Sequence, residues 1–239
     1  MCLGFPQQVV LLQTFLTMNS VGLLFCFSLL LVAATSQAPK PCFAPELLTG
    51  GVSVMATGGL MTTSGAVAYD ALGQRLRARH YGSFGNLTVA VDELMLYQQE
   101  VMYEINWSAQ TCRKLPLDTY FIPMQVPEDA SLLGQTILGS SSSWGMGLLT
   151  NTWVGQFPNN DSYLLTFTEI GCLPVTLTNY SPKIGWTTIS TYNWVIGMSN
   201  PEDFFPPAFC YDAKMEKSAK PQTFFSAMES LAMMVQSMK

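Results

Sequence analysis

Residues 94 to 112 read Leu-Met-Leu-Tyr-Gln-Gln-Glu-Val-Met-Tyr-Glu-Ile-Asn-Trp-Ser-Ala-Gln-Thr-Cys. This is the pattern of a β-hairpin that ends in a cysteine. In its second arm Val101, Tyr103, Ile105 and Trp107 alternate with Met102, Glu104, Asn106 and Ser108, the period of a half-buried strand with one face in the core and one in water. Asn106-Trp107-Ser108 is an N-glycosylation acceptor, which requires an accessible surface and so supports an outward Asn106. Cys112 then ties the strand to a distant part of the chain.

Upstream, residues 1 to 39 contain no charged side chain. Val21 to Ala34 form an apolar run that stops at Ser36-Gln37-Ala38, small at the positions a signal peptidase reads, so residues 1–38 are assigned as a secretory signal. A basic leader is missing, which makes Met18 an alternative start. The run is shorter than the roughly 20 residues of a membrane span, and no second one follows. The 11 basic and 16 acidic residues all lie after the signal, and the net charge of −5 argues against nucleic acid as a partner. Of six cysteines, Cys2 and Cys26 go with the signal. Cys42, Cys112, Cys172 and Cys210 remain, an even set in an oxidising compartment, and spacing leaves three connectivities open.

Beyond Cys42, short β-type runs alternate with Gly, Pro, Asn and Asp. Ala66–Tyr69 and Gln74–Tyr81 flank a turn at residues 70–73, and further strands are expected at Ser131–Leu138, Met146–Val154, Tyr163–Glu169, Leu173–Thr178 and Trp186–Met198. Helix signals are almost absent, so the expected class is an antiparallel β-sandwich or open barrel spanning residues 39–212. The stretch from Phe157 to Asp161 reads as an exposed loop. Asn86, Asn160 and Asn179 are further glycosylation acceptors. In the tail, residues 213–239, Phe224, Met228, Leu231, Val235 and Met238 recur at helical spacing, which predicts an amphipathic helix over Thr223–Met238 that docks on the domain or a partner subunit.

No nucleophile elbow, zinc-protease motif, phosphate loop or paired-cysteine motif is present, and His80 is the only histidine, so the chain is expected not to be an enzyme. Glu128-Asp129 and Glu202-Asp203 lack the interleaved ligands of a dedicated calcium loop and read as solvated turns, with surface calcium as the only candidate cofactor. Arg75, Arg77 and Arg79 line one face of a strand. Three guanidinium groups in a row repel one another unless an anionic headgroup or facing carboxylates compensate them.

These residues carry a resemblance to a known family. The chain resembles the ependymin family, specifically ependymin-related proteins, through Tyr69-Asp70 with Gln74-Arg75-Leu76-Arg77, then Val101-Met102-Tyr103-Glu104-Ile105, Cys112 with Lys114, Pro127-Glu128-Asp129-Ala130, Gly171-Cys172-Leu173-Pro174-Val175, and Asn200-Pro201 leading to Pro206-Pro207-Ala208-Phe209-Cys210. The resemblance covers Cys42 to Cys210. It implies a secreted glycoprotein, often a homodimer, whose two curved antiparallel sheets enclose a deep hydrophobic pocket. It also implies bridges Cys42–Cys172 and Cys112–Cys210. Family members are associated with calcium-dependent matrix adhesion, and ependymin-related ones with lysosomes and with anionic lipids and gangliosides. Relatives commonly carry a third cysteine pair that this chain lacks, and the Met-rich segment after Lys220 departs from the family's ending.

The resulting expectation is a secreted β-domain that binds an anionic phospholipid or ganglioside-like lipid between its sheets. Tyr103, Trp107, Trp153, Phe167, Trp186 and Trp194 are the candidates to line the pocket, although the same residues suit simple core filling. Arg75, Arg77 and Arg79 are the candidates to meet the headgroup. The rival expectation is a calcium-responsive matrix-adhesion glycoprotein.

Overall fold

Runs rich in Val, Thr, Leu and aromatic residues, punctuated by Gly, Asn and Gln at turns, form strands along almost the whole of the chain described by the computed structural model, residues 38–117, 120–156, 162–181, 185–197 and 200–216. The strands are β1 (Leu47–Ala56), β2 (Met61–Asp70), β3 (Arg75–Phe84), β4 (Leu87–Leu96), β5 (Val101–Asn106), β6 (Thr111–Pro116), β7 (Ser131–Gly139), β8 (Gly147–Gln156), β9 (Ser162–Thr168), β10 (Pro174–Ser181) and β11 (Gly185–Ile196). Two short helical turns, Pro201–Phe204 and Ala208–Cys210, follow. Contacts separate residues 1–40 from 41–239, and the sheet belongs wholly to the second unit.

The five strands expected between Ser131 and Met198 are all present, with ends that shift by a few residues. Gln74–Tyr81 corresponds to β3, and Ala66–Tyr69 is the end of a longer β2. The stretch 94–112 differs in detail. It holds the end of β4, all of β5 and the start of β6, so Cys112 lies on the strand after the hairpin and not at its second arm's end.

All eleven strands form a single sheet in the order β6-β5-β4-β3-β2-β1-β11-β10-β9-β8-β7. This corrects the expectation of two sheets. The sheet is not closed: β1 and β11 pair antiparallel through its middle and join what would otherwise be separate halves. Its two edges are treated differently. Beside β6, Met215 forms a bridge to Lys114 and Glu216 N–H donates to the Lys114 carbonyl at 3.0 Å. No strand pairs with the outer edge of β7 among the described residues.

Because paired residues share a face, the registers define two faces across the sheet. On the face that carries His80, a continuous row runs Thr63, Val54, Ile189, Leu177, Leu165, Trp153 and Leu132. One residue away on each strand, the opposite face carries Ser64, Ser53, Ser190, Thr176, Thr166 and Thr152. Thr152 and Thr166 hydroxyls meet at 3.1 Å, and Thr178 and Thr188 at 3.3 Å. The half from β7 to β1 is therefore apolar on one face and hydroxyl-rich on the other.

The half from β2 to β6 is covered on both faces. On the histidine face Met95, Met102, Leu115 and Leu117 pack together. On the other face Leu94, Leu96, Val101, Tyr103 and Ile105 pack under Phe204 and Cys210 from the C-terminal segment. Cover on both faces overturns the half-buried reading of β5, because Met102 is buried on the histidine face as Val101, Tyr103 and Ile105 are on the other. The bridges Cys42–Cys172 and Cys112–Cys210 are both formed. They close loops of 130 and 98 residues, each worth about 4–5 kcal/mol on the chain-entropy account. Among the described residues no helix is long and apolar enough to cross a membrane. The signal reading, Cys2, Cys26, the 157–161 loop with Asn160, and the tail helix at 223–238 lie outside the described residues.

Candidate functional site

Strand β3 alternates basic and small or apolar residues, so Arg75, Arg77 and Arg79 project together from the face opposite His80. Each already has a carboxylate. Arg75 pairs with Asp70 and stacks over Phe204 at 4.6 Å. Arg77, itself buried, makes a two-pronged pair with Asp92 at 2.8 and 2.7 Å and donates to the Asp203 carbonyl at 3.0 Å. Arg79 pairs with Asp203. Asp92 also accepts from Trp107 Nε1 at 2.6 Å. The row thus fastens residues 200–211 across the sheet, and an open cleft of about 590 Å3 lies beneath them, bordered by Arg77, Arg79, Trp107, Glu202, Phe205 and Tyr211. Compensated guanidinium groups facing away from the apolar row form a structural seam, with facing carboxylates as the compensation that three arginines in a row require.

The six aromatic candidates do not converge either. Tyr103 belongs to the core beneath the C-terminal segment, and Trp107 meets Phe209 edge-on at 5.5 Å at its margin. Trp153 and Phe167 are buried on the histidine face with Val126, Tyr163, Leu165 and the Cys42–Cys172 bridge. Trp194 donates to the Pro174 carbonyl at 2.7 Å and packs near Leu48 and Tyr69. Trp186 is exposed, on the hydroxyl face beside Tyr180. Only Trp153, Phe167 and Trp194 contribute to the apolar side.

The histidine face also holds a polar island that sequence reasoning missed. His80 Nδ1 bonds Thr63 Oγ1 at 2.8 Å, and Nε2 is buried without a partner. Burial holds its imidazole down at a pKa of about 4, against a smaller upward pull from Asp92. Glu93 lies two residues along, opposite Ala78 on one side and Glu104 on the other. It is 1% exposed, and burial, reinforced by Glu104 and Asp92, pushes its carboxyl up to about 8. Burial raises Glu104 as well, although Arg113 opposes this. Arg113 then links Glu104 at 2.6 Å to Glu216 at 2.9 and 2.8 Å, which clamps the C-terminal segment. The available signal was Asp92-Glu93 inside the otherwise apolar run from Val89 to Leu96, since charges there need partners.

Asn86 is exposed at a turn and Asn106 is exposed at the end of β5, as an acceptor requires. Asn179 is not: its side chain is 7% exposed on the apolar face, so that acceptor reading is withdrawn. Among the described residues no group of three or more His, Cys, Asp or Glu side chains is arranged to hold a metal.

Residues 85–210 match the sequence model of the family described as Ependymin. Ependymin-2 of Carassius auratus is 31% identical over 195 residues, which covers 81% of this chain and 90% of that protein. The chain belongs to the ependymin family. Ependymin of Notemigonus crysoleucas shows the same identity and coverage, and mammalian ependymin-related protein 1 of Rattus norvegicus is 24% identical over 198 residues, 78% of this chain and 83% of its own. Among solved structures, an uncharacterised conserved protein from Thermus thermophilus aligns at TM-score 0.47 and 10% identity over 80% of this chain and 98% of its own. LprF from Mycobacterium bovis aligns at 0.38 and 12% over 65% and 89%.

Proposed function

We propose that this ependymin-family chain is a secreted glycoprotein that carries one lipid-like amphiphile, of the phospholipid or ganglioside kind, with its acyl chains against the apolar face of the sheet. The observation that carries the reading is the row from Val54 to Leu132. It continues apolar past the buried Trp153 and ends on Leu132 at 38% exposure, so the apolar surface outruns the core that covers it. Exposed Asn86 and Asn106 support glycosylation and passage through the secretory route.

The test is uptake of single-chain amphiphiles by lipid-stripped protein. Each added methylene contributes about 0.8 kcal/mol, so affinity should rise about fourfold per CH2 until the space is filled. Affinity that does not depend on chain length would overturn the proposal.

A further inference from the structure

Residues 131 to 160 contain no Asp, Glu, Lys or Arg, in a chain where 11% of residues are charged. The β7–β8 hairpin at the centre of this stretch is exposed almost throughout on the β7 side. Its outer end is apolar on both faces. Leu138 pairs with Leu148 on one face, Ile137 with Leu149 on the other, and all four are exposed. Beyond them the loop presents Met146 and a fully exposed Trp144, which stands clear of every neighbour at 101% relative exposure. The loop's backbone is bonded within itself: Ser140 N–H donates to the Met146 carbonyl at 2.9 Å and Met146 N–H to the Ser143 carbonyl at 3.3 Å. At the same end of the sheet the β9–β10 turn exposes Ile170.

We propose that the tip of the β7–β8 hairpin, residues 138–148 with Trp144 foremost, inserts into the interfacial layer of a lipid bilayer. A partner protein covers one face of a two-stranded ribbon, whereas a fluid layer wets both. The loop's internal bonds lower the cost of leaving water, the hydrated headgroup layer can meet its remaining backbone groups, and tryptophan favours the boundary between headgroups and acyl chains. Two features limit the depth. The unpaired edge of β7 cannot enter hydrocarbon, because its N–H and C=O groups would lose their water. Glu169, held by Asn151 and by Gln135 at 3.3 Å, sits level with Leu149, whose carbonyl accepts from Glu169 N–H at 2.9 Å. From there the strand runs about 7 Å to Gly147 and the loop carries Trp144 beyond it, a reach that suits an interfacial anchor. No basic side chain lies on the tip, so insertion is driven by apolar contact and not by attraction to anionic lipid. The docking deepens the carrier reading by giving the protein a place to collect its ligand.

Flotation of the full secreted chain with vesicles tests this, using phosphatidylcholine alone and phosphatidylcholine mixed with phosphatidylglycerol. The protein should float equally with both and at low and high salt. Trp144→Ser should weaken binding at least about tenfold and Trp144→Phe far less, while thermal unfolding stays unchanged in both because the side chain touches nothing. Flotation only with the anionic mixture, no flotation with either, or a Trp144→Ser variant that floats normally but changes oligomeric state overturns the proposal. Uptake of a detergent-dispersed amphiphile by a chain that does not float leaves carriage standing and removes the docking; flotation without uptake does the reverse.

Discussion

Arg77→Ala should destabilise the protein by about 3–5 kcal/mol in urea unfolding, the cost of leaving a buried charge without its partner. Arg77 and Asp92 are 4% and 5% exposed, so water cannot solvate whichever partner remains. Loss of the guanidinium leaves Asp92 with only Trp107 Nε1 as a donor, and frees the Asp203 carbonyl that anchors the C-terminal segment. The double variant Arg77→Met with Asp92→Leu removes both charges and should recover most of the loss, because a buried pair is costly to break but nearly neutral to replace by apolar groups. If Arg77→Ala costs less than about 1 kcal/mol, as for an exposed pair, the seam reading fails.

That seam shows where sequence reasoning reached its limit. The alternation of Arg75, Arg77 and Arg79 was legible, and so was the need for compensation. The partners were not, since Asp203 comes from 124 residues downstream of Arg79 and only the folded C-terminal segment brings it there. Burial of both faces of β5 was hidden as well: strand periodicity reports the cover over Val101, Tyr103 and Ile105, and the second cover is Met95, Leu115 and Leu117 packed against Met102 on the other face. Strand β1 escaped notice because Gly50-Gly51 interrupts its apolar pattern. Tyr192 and Trp194 pack so close to those glycines that a Cβ at either would collide with a ring. Once β1 pairs with β11, one sheet replaces two. Family likeness, in contrast, gave both disulfide pairings correctly.

Glu93 and His80 set the second large effect, a distinctive dependence of stability on pH. Glu93 has a raised folded pKa, about 8 against 4.5, so its contribution is full below 4.5 and is lost as pH rises to 8. His80 has a depressed one, about 4 against 6.5, so its contribution is present above 6.5 and is lost as pH falls to 4. Each changes stability by about 1.4 kcal/mol per pH unit inside its window, in opposite directions. They offset one another between about pH 4.5 and 6.5, and stability should then fall by about 2 kcal/mol from pH 6.5 to 8. Glu93→Gln removes the falling limb and leaves the histidine alone, so its stability should climb from pH 4.5 to 6.5 and then stay level. Urea midpoints across this range decide it. A wild-type profile flat from pH 6.5 to 8 would mean that Glu93 is solvated or paired.

The sheet's asymmetry connects these parts. One half, β2 to β6, is sealed on both faces by packing, the arginine seam and the Arg113 clamp. The other half leaves the outer end of its apolar row, at Leu132, and its charge-free hairpin open. Carriage of an amphiphile assigns the open half to the ligand and the sealed half to stability. Native mass spectrometry of the protein purified from expressing cells, without detergent or added lipid, tests that assignment most directly. The expected result is protein carrying one amphiphile per chain, released by organic solvent and identifiable as a lipid. Protein that emerges free of lipid, and that takes up none when lipid is supplied, would contradict it.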